Sequence, residues 1–262
     1  MKTVKTIIPQ RSGLISIHAL AAAKNMLPPI SLNQLLASFN NLGRLQFRLL
    51  GFVEEDSTDS FLQGANDEVF MSALGTDSSA IHLDDDGRLV VDQIEAPIIG
   101  DVSDDSVRNP WNQNPFVLLE FDLNRKGYWP RTYIVTLLIV EHDNQDIADT
   151  FNDLKREVGD TVRDGIIAAA TTGGAAVGTA ILPGIGTAVG AAAGFLAGLA
   201  WNTVIPLIGE GLENETFSPR VLTVQLPDAV ESIPPPQGGP QSVRVEEHDA
   251  VYDIHYEWYI AK

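Results

Sequence analysis

Residues 251–260 read VYDIHYEWYI, an alternation of apolar and polar side chains that predicts a β-strand with one buried face. The residues on that face are Tyr252, Ile254, Tyr256, Trp258 and Ile260. Large apolar groups on one side of a strand need a core to cover them. Residues 242–247 predict a neighbouring strand, and we expect this closing pair to return to the core of a sandwich.

The chain from residue 43 to residue 143 continues this β pattern in short runs bounded by Asp, Asn, Gly and Pro. The predicted strands are Leu45–Val53, Glu68–Leu74, Leu89–Val91, Phe116–Leu123 and Tyr133–Val140, followed later by Arg220–Leu226. Asp86-Gly87 predicts a hairpin turn between 81–83 and 89–91. We therefore expect an antiparallel β-sandwich, with its first part at 43–143 and its closing strands at 218–262.

The middle of the chain, residues 144–217, has a helical pattern instead. From Asp146 to Asp164 apolar residues recur every three or four positions, which predicts an amphipathic helix. From Gly165 to Gly209 there are 45 consecutive residues without a charge, and Pro183-Gly184 divides them into two arms. We interpret these arms as an apolar, Gly-rich helical hairpin. The expected fold class is thus α+β, an antiparallel β-sandwich with an inserted amphipathic helix and this hairpin.

The first 42 residues predict an N-terminal arm and a short helix at 31–39. Lys2, Lys5 and the apolar run 14–23 have the outline of a secretory signal. Proline and charged residues interrupt that outline, which favours the arm over a signal peptide.

Composition and charge exclude several classes of protein. The chain has 17 Lys and Arg against 35 Asp and Glu, a net charge of −18, which argues against a nucleic-acid partner. The absence of cysteine excludes disulfides, a thiolate zinc site and a cysteine nucleophile. No nucleophile elbow, phosphate-binding loop or zinc-protease helix is present in the sequence. An enzyme is therefore not expected.

The uncharged run contains glycines at every fourth residue. They are Gly174 and Gly178 in the first arm and Gly186, Gly190, Gly194 and Gly198 in the second. Glycine costs up to about 1 kcal/mol per helical position relative to alanine, so such a stripe indicates close packing of a second element. Residues 165–209 resemble the glycine-zipper membrane hairpins of pore-forming proteins. Two interpretations are open. The hairpin inserts into lipid, where the glycine stripe packs helix on helix within the hairpin or between subunits, or the hairpin is buried in protein.

Acidic residues cluster in the predicted loops, including 54–56, 84–86 and 143–146. Calcium takes six to eight oxygen ligands, several of them from carboxylates on flexible loops, so converging acidic loops could bind it. The alternative is that these residues only shape turns and helix ends on a very acidic surface.

The order of three short motifs adds to the calcium interpretation. The segment 45–53, then acids, then Asn66-Asp67-Glu68-Val69-Phe70 is similar to the opening strand, first calcium loop and next strand of the calcium-dependent phospholipid-binding sandwich of protein kinase C and synaptotagmin. Asn109-Pro110-Trp111-Asn112-Gln113 resembles that family's N-P-x-W-N-E turn. Residues 138–146 resemble its passage from a strand into the third loop.

The resemblance covers residues 45–146 and implies a set of calcium ligands. These are Glu55 or Asp56 and Asp67 in the first loop, and Asp143 and Asp146 in the third. Glu141 stands where the family has Asp, and Glu68 and Val69 replace its Pro and Tyr. The helical region would then leave the sandwich from the third loop, at the end where such domains meet lipid.

Together these patterns predict a pore-forming or toxin-like protein that binds anionic lipid under the control of calcium. It would insert its glycine-zipper hairpin into the membrane and act as a homo-oligomer. Calcium would offset the repulsion between a chain of charge −18 and anionic lipid. A secreted or soluble form that transfers to the membrane is expected, because the first arm is only weakly apolar. The alternative is a non-catalytic structural or interaction subunit with the hairpin buried in protein.

Overall fold

The computed structural model describes residues 43–56, 69–100, 111, 114–125, 129–141, 147–172, 216–228, 233, 237–248 and 250–262. Within these residues the chain forms eight strands and one helix. The strands are β1 (Arg44–Asp56), β2 (Val69–Leu83), β3 (Leu89–Glu95), β4 (Phe116–Asp122), β5 (Arg131–Glu141), β6 (Arg220–Leu226), β7 (Gln241–Glu247) and β8 (Ala250–Ala261). The helix α1 spans Ile147–Thr172 and lies between β5 and β6 in chain order.

The strands form two antiparallel sheets of four. Sheet A has the order β4-β1-β8-β7, and sheet B has the order β3-β2-β5-β6. β1 and β8 pair along almost their whole length, from Arg44 opposite Ala261 to Asp56 opposite Val251. β6 pairs with β5. The first and last strands therefore lie side by side in sheet A, and the two strands that flank α1 in the chain lie side by side in sheet B.

The core between the sheets is built from the inward-facing residues of both. On β8 the five apolar residues that alternate in sequence are all buried, which confirms the predicted face. Aromatic rings pack within and between the sheets: Phe47 meets its sheet A neighbour Trp258 edge-on with centroids 5.2 Å apart, and Phe121 of sheet A meets Tyr133 of sheet B edge-on at 5.3 Å. Such edge-to-face pairs add specific geometry to the apolar burial that holds the two sheets together.

The predicted hairpin turn at Asp86-Gly87 is confirmed. It connects β2, which ends at Leu83, to β3, which begins at Leu89. Gly87 has φ +77°, a left-handed conformation that glycine adopts without strain, and its amide donates to the Asp84 carbonyl at 3.0 Å. The Asp84 carboxylate accepts the Arg88 amide at 2.7 Å.

β2 is longer than its sequence predicts, because it continues through the polar residues 75–79 to Leu83. Polar groups in the middle of a strand suggested a break, but here β5 covers them and Asp77 pairs opposite Tyr133. The Ser78 hydroxyl accepts the Thr132 amide at 3.1 Å. This hydrogen bond to the neighbouring strand offsets part of the cost of burying the polar run.

Helix α1 packs on the outer face of sheet B. Its buried stripe consists of Phe151, Leu154, Val158, Val162 and Ile166, and the sheet residues beneath it include Leu74, Ile81, Val91, Ile134 and Leu138. Lys155 fixes the helix to the end of β3, since its Nζ donates to the Ala96 carbonyl at 2.8 Å. The three-to-four spacing of the stripe is the amphipathic pattern expected from the sequence.

The direction of α1 follows from its neighbours. The helix begins six residues after β5 ends, and Gly159, halfway along it, faces Leu74 near the middle of β2. A 26-residue helix is about 39 Å long, so α1 runs along the strands and its last residue, Thr172, lies towards the opposite end of sheet B.

The predicted α+β class with a helical hairpin is wrong for the part of the chain that the structure describes. That part is mainly β, and its single helix covers a sheet instead of forming half of a hairpin. The loss of charge at Gly165 predicts the start of the first arm there, but residues 165–172 continue α1, because Ile166 extends its buried stripe. No helix in the described part of the chain is long and apolar enough to cross a membrane. The short helix at 31–39 and the rest of the predicted hairpin lie outside the described residues.

Candidate functional site

The ends of several strands meet at one end of the sandwich, which we call the rim. On sheet B, Val69 at the start of β2 pairs with Glu141 at the end of β5, and Thr216 forms a bridge to Val140. On sheet A, Asp56 ends β1 beside Val251. The chain therefore enters and leaves both predicted calcium loops, 57–68 and 142–146, at or near the rim.

The predicted calcium ligands are only partly described. Asp67, Asp143 and Asp146 lie outside the described residues, as do Gly174, Gly178, Gly186, Gly190, Gly194 and Gly198. Asp56 is placed by its backbone as the last residue of β1. Glu55 is exposed on the outer side of sheet A, where its Oε2 lies 2.7 Å from Arg244 Nη1.

Arg244 on β7 is a partner of Glu55 that sequence reasoning missed. Its guanidinium also lies 3.2 Å from Asp253 Oδ2 and 3.6 Å from Glu246 Oε2. The hydrogen bond that the Arg244 guanidinium donates to Glu55 raises the pKa of this guanidinium above its ordinary value. As a calcium ligand, Glu55 would first have to leave this arginine. Among the described residues, no group of three or more His, Asp and Glu side chains is arranged to hold a metal ion.

Glu141 has a different position from the one its place in the motif suggests. It is the last residue of β5 and is buried, with 9% of its surface exposed. The Tyr252 hydroxyl of sheet A donates to Glu141 Oε2 at 3.4 Å. This carboxylate therefore connects the two sheets immediately before the 142–146 loop.

The segment of residues 216–219, which we call the strap, returns the chain to the rim ahead of β6. Phe217 is completely buried, and its ring meets Tyr252 edge-on at 5.3 Å and His248 edge-on at 5.4 Å. The Phe217 amide donates to the Ile139 carbonyl at 3.1 Å. The strap thus fixes the chain on the C-terminal side of the uncharged run. A lone phenylalanine just before an alternating strand was the available sequence signal.

Two side chains of the β7–β8 turn contact the strap. Glu247 accepts the Ser218 amide on Oε2 and Arg220 Nη2 on Oε1, both at 2.8 Å. His248 Nε2 lies 3.3 Å from the Thr216 carbonyl, which can only accept, so this nitrogen carries the proton. His248 has φ +55°, a left-handed conformation that is typical of tight turns.

A pocket of about 560 Å³ lies at the other end of β8, where Gly238, Trp258, Tyr259 and Lys262 contribute to its lining. Of the predicted site residues that the structure describes, none borders it. The rim remains the candidate site because the strap and both acidic loops join the sandwich there.

No family model, curated protein or solved structure matches the chain, and no enzyme family is identified for it.

Proposed function

We propose that this protein binds anionic lipid under the control of calcium and then inserts its uncharged glycine-rich segment, as a pore-forming or toxin-like homo-oligomer. The supporting observation is the common location of three chain segments. The flanks of the 57–68 and 142–146 loops and the strap, which follows the uncharged run, all lie at the rim. Calcium at these loops would bring a positive charge to the place where the chain leaves the sandwich.

The inserting part is the chain after α1. The stripe of α1 is buried against sheet B, and removing the helix would expose Ile134 and Leu138, which are now completely covered. Residues 173–209 carry no charge and contain the zipper glycines. Small residues at every fourth position let backbones approach closely in lipid, which would support packing between subunits.

Dye release from anionic liposomes tests this function. We expect leakage with calcium and none with a chelator, because the free protein has the same sign of charge as the lipid. Asp143→Asn with Asp146→Asn should raise the calcium concentration for half-maximal leakage by about tenfold or more, since each carboxylate lost weakens calcium coordination. The matched control is Asp85→Asn with Asp86→Asn, which removes the same charge from the β2–β3 turn and should leave the calcium response unchanged.

A second pair of variants tests the glycine-rich segment. Gly194→Leu lies in the glycine stripe and should abolish leakage while lipid binding persists. Ala192→Leu lies two residues away and off the stripe, and it should release dye to the same extent as the wild-type protein. Replacing 173–209 by an equally long Gly/Ser linker is preferable to deletion, because Thr172 and Thr216 lie towards opposite ends of sheet B. If the folded wild-type protein neither binds liposomes nor releases dye with calcium, the proposal is wrong, and the structural-subunit interpretation takes its place.

A further inference from the structure

Besides the burial of Phe217, the strap is held to the rim by a few hydrogen bonds among the described residues. Two of its backbone amides donate described hydrogen bonds: the Phe217 amide to the Ile139 carbonyl, and the Ser218 amide to the Glu247 carboxylate. Thr216, the first strap residue, contributes its carbonyl to His248. One of these bonds depends on a single charged side chain, so its strength can be changed without altering the backbone of either sheet.

Glu247 joins the two sheets at this point. Its two oxygens hold separate donors, the Ser218 amide and the Arg220 guanidinium, and its side chain is about three-quarters shielded from water with 25% exposed. Hydrogen bonds to an ionised acceptor are stronger than neutral ones, and partial burial reduces their screening. Glu247 is therefore the strongest polar anchor of the strap among the described contacts.

The strap also shares a partner with the third acidic loop. The Phe217 ring packs on Tyr252, and the hydroxyl of the same Tyr252 donates to Glu141, after which the 142–146 loop begins. A change at that loop can thus reach the strap through one side chain, because Tyr252 contacts both.

We propose that the strap is a clasp, closed by Glu247, whose opening sets the rate at which the uncharged segment transfers to lipid; this inference rests on the proposed function. With Glu247 in place, the C-terminal root of the segment stays on the sandwich. When its contacts to Ser218 and Arg220 break, Phe217 can leave the gap between the sheets.

Glu247→Gln tests the clasp, because it keeps the size of the side chain and removes the charge. Glu246→Gln is the matched control, since Glu246 is an exposed neighbour on the opposite face of β7 and contacts Arg244 instead. Hydrogen exchange of the Phe217 and Ser218 amides should be about tenfold faster in Glu247→Gln than in the control, as expected when a charged hydrogen bond is lost. Arg220→Gln removes the second contact of Glu247 and should act in the same direction if Glu247→Gln folds poorly.

Dye release gives the functional measurement. With anionic vesicles and calcium, Glu247→Gln should release dye faster than Glu246→Gln, and the final extent of dye release should be the same for both variants. Unchanged exchange at Phe217 and Ser218 overturns the clasp, whatever the leakage. Faster exchange with an unchanged leakage rate overturns its control of insertion but leaves the proposed function intact. If no variant, including wild type, releases dye, both the proposed function and the clasp's role in insertion are rejected.

Discussion

Sheets A and B differ in how many of their faces are covered. All eleven residues of β5 in sheet B are buried, because the other sheet lies on one side and α1 on the other. β8 in sheet A alternates between buried and more accessible residues, because no described element covers its outer face as α1 covers that of sheet B. A strand covered on both faces loses the alternation, and this is the reason β5 has a nearly continuous apolar sequence.

This difference also bears on function. The outer face of sheet A carries polar and charged groups, such as Arg48, which lies over the Tyr259 ring at 3.5 Å. The outer face of sheet B carries Ile134, Leu138 and Val140, which depend on α1 for cover. Helix α1 therefore contributes to the stability of the sandwich, and for this reason the proposed insertion concerns the chain that follows it and leaves α1 in place.

The largest effect should come from removing a side chain beneath the helix cover. Phe151→Ala should lower the free energy of unfolding by about 3–5 kcal/mol, because Phe151 is completely buried between α1 and sheet B. Tyr259→Ala on the exposed face of sheet A should cost about 1 kcal/mol or less, mainly through its contact with Arg48. Urea denaturation followed by tryptophan fluorescence measures both. Equal losses would contradict the distinction between the two outer faces.

A smaller effect distinguishes the inside of the sandwich from the helix interface. In Gly75→Ala the new Cβ would lie 2.7 Å from Ile94 Cγ1 and 2.9 Å from Phe121 Cζ. This overpacking should cost about 1–3 kcal/mol. In Gly159→Ala the nearest atom, 3.0 Å away, is Gln93 Oε1 at the end of a flexible side chain. There the higher helix propensity of alanine, worth up to about 1 kcal/mol, should leave stability unchanged or raised.

Thermal unfolding of the two glycine variants provides the comparison. The midpoint should fall for Gly75→Ala and should not fall for Gly159→Ala. A strong loss in Gly159→Ala would mean that α1 lies more tightly on sheet B than its flexible neighbour indicates.

The smallest effect concerns a phenol on β5. Burial, assisted by the Asp77 carboxylate, raises the pKa of Tyr133 well above its ordinary value, despite the opposing influence of Arg131. Burial also raises the pKa of Tyr256. Above a pH of about 10 the unfolded chain loses these protons while the folded protein keeps them, so the free energy of unfolding falls as pH rises. Tyrosinate absorbance should show phenols that ionise only on unfolding.

Tyr133→Phe isolates this contribution. The Tyr133 hydroxyl has no partner in hydrogen-bonding geometry among the described residues, so its removal should change stability by less than about 1 kcal/mol at neutral pH. The decline above pH 10 should become shallower. A loss of several kcal/mol at neutral pH would instead mean that the hydroxyl is engaged in the folded protein.

Some of this structure was predictable because it depends on short-range backbone geometry. The alternation of residues 251–260 predicted the buried face of β8, and 220–226 predicted β6 with its observed bounds. Asp86-Gly87 predicted a turn because glycine adopts the left-handed conformation that the turn requires. In each case the repeat or the turn lies within a few residues of sequence.

Other features depend on contacts between distant residues. The polar residues 75–79 fall outside the predicted strands, but they lie in β2, because their backbone pairs with β5 as far as Asp77 and the Ser78 hydroxyl accepts the Thr132 amide. The loss of charge at Gly165 suggested a new element, but Ile166 continues the buried stripe of α1. Charge along the chain does not define a helix boundary when the adjoining sheet offers apolar surface beyond it.

The same limit applies to the rim. The sequence alone marks acidic loops, but it does not show that Glu55 pairs with Arg244, that Glu141 meets Tyr252, or that Glu247 holds Ser218. Those pairs come from segments that are far apart in the chain, and their distances follow from the register of β1, β7 and β8 and from the stacking of the two sheets. Periodicity identifies which face of an element is apolar, because it follows from the backbone repeat. The partner of each polar group is set by folding, which brings together residues that have no fixed separation along the chain.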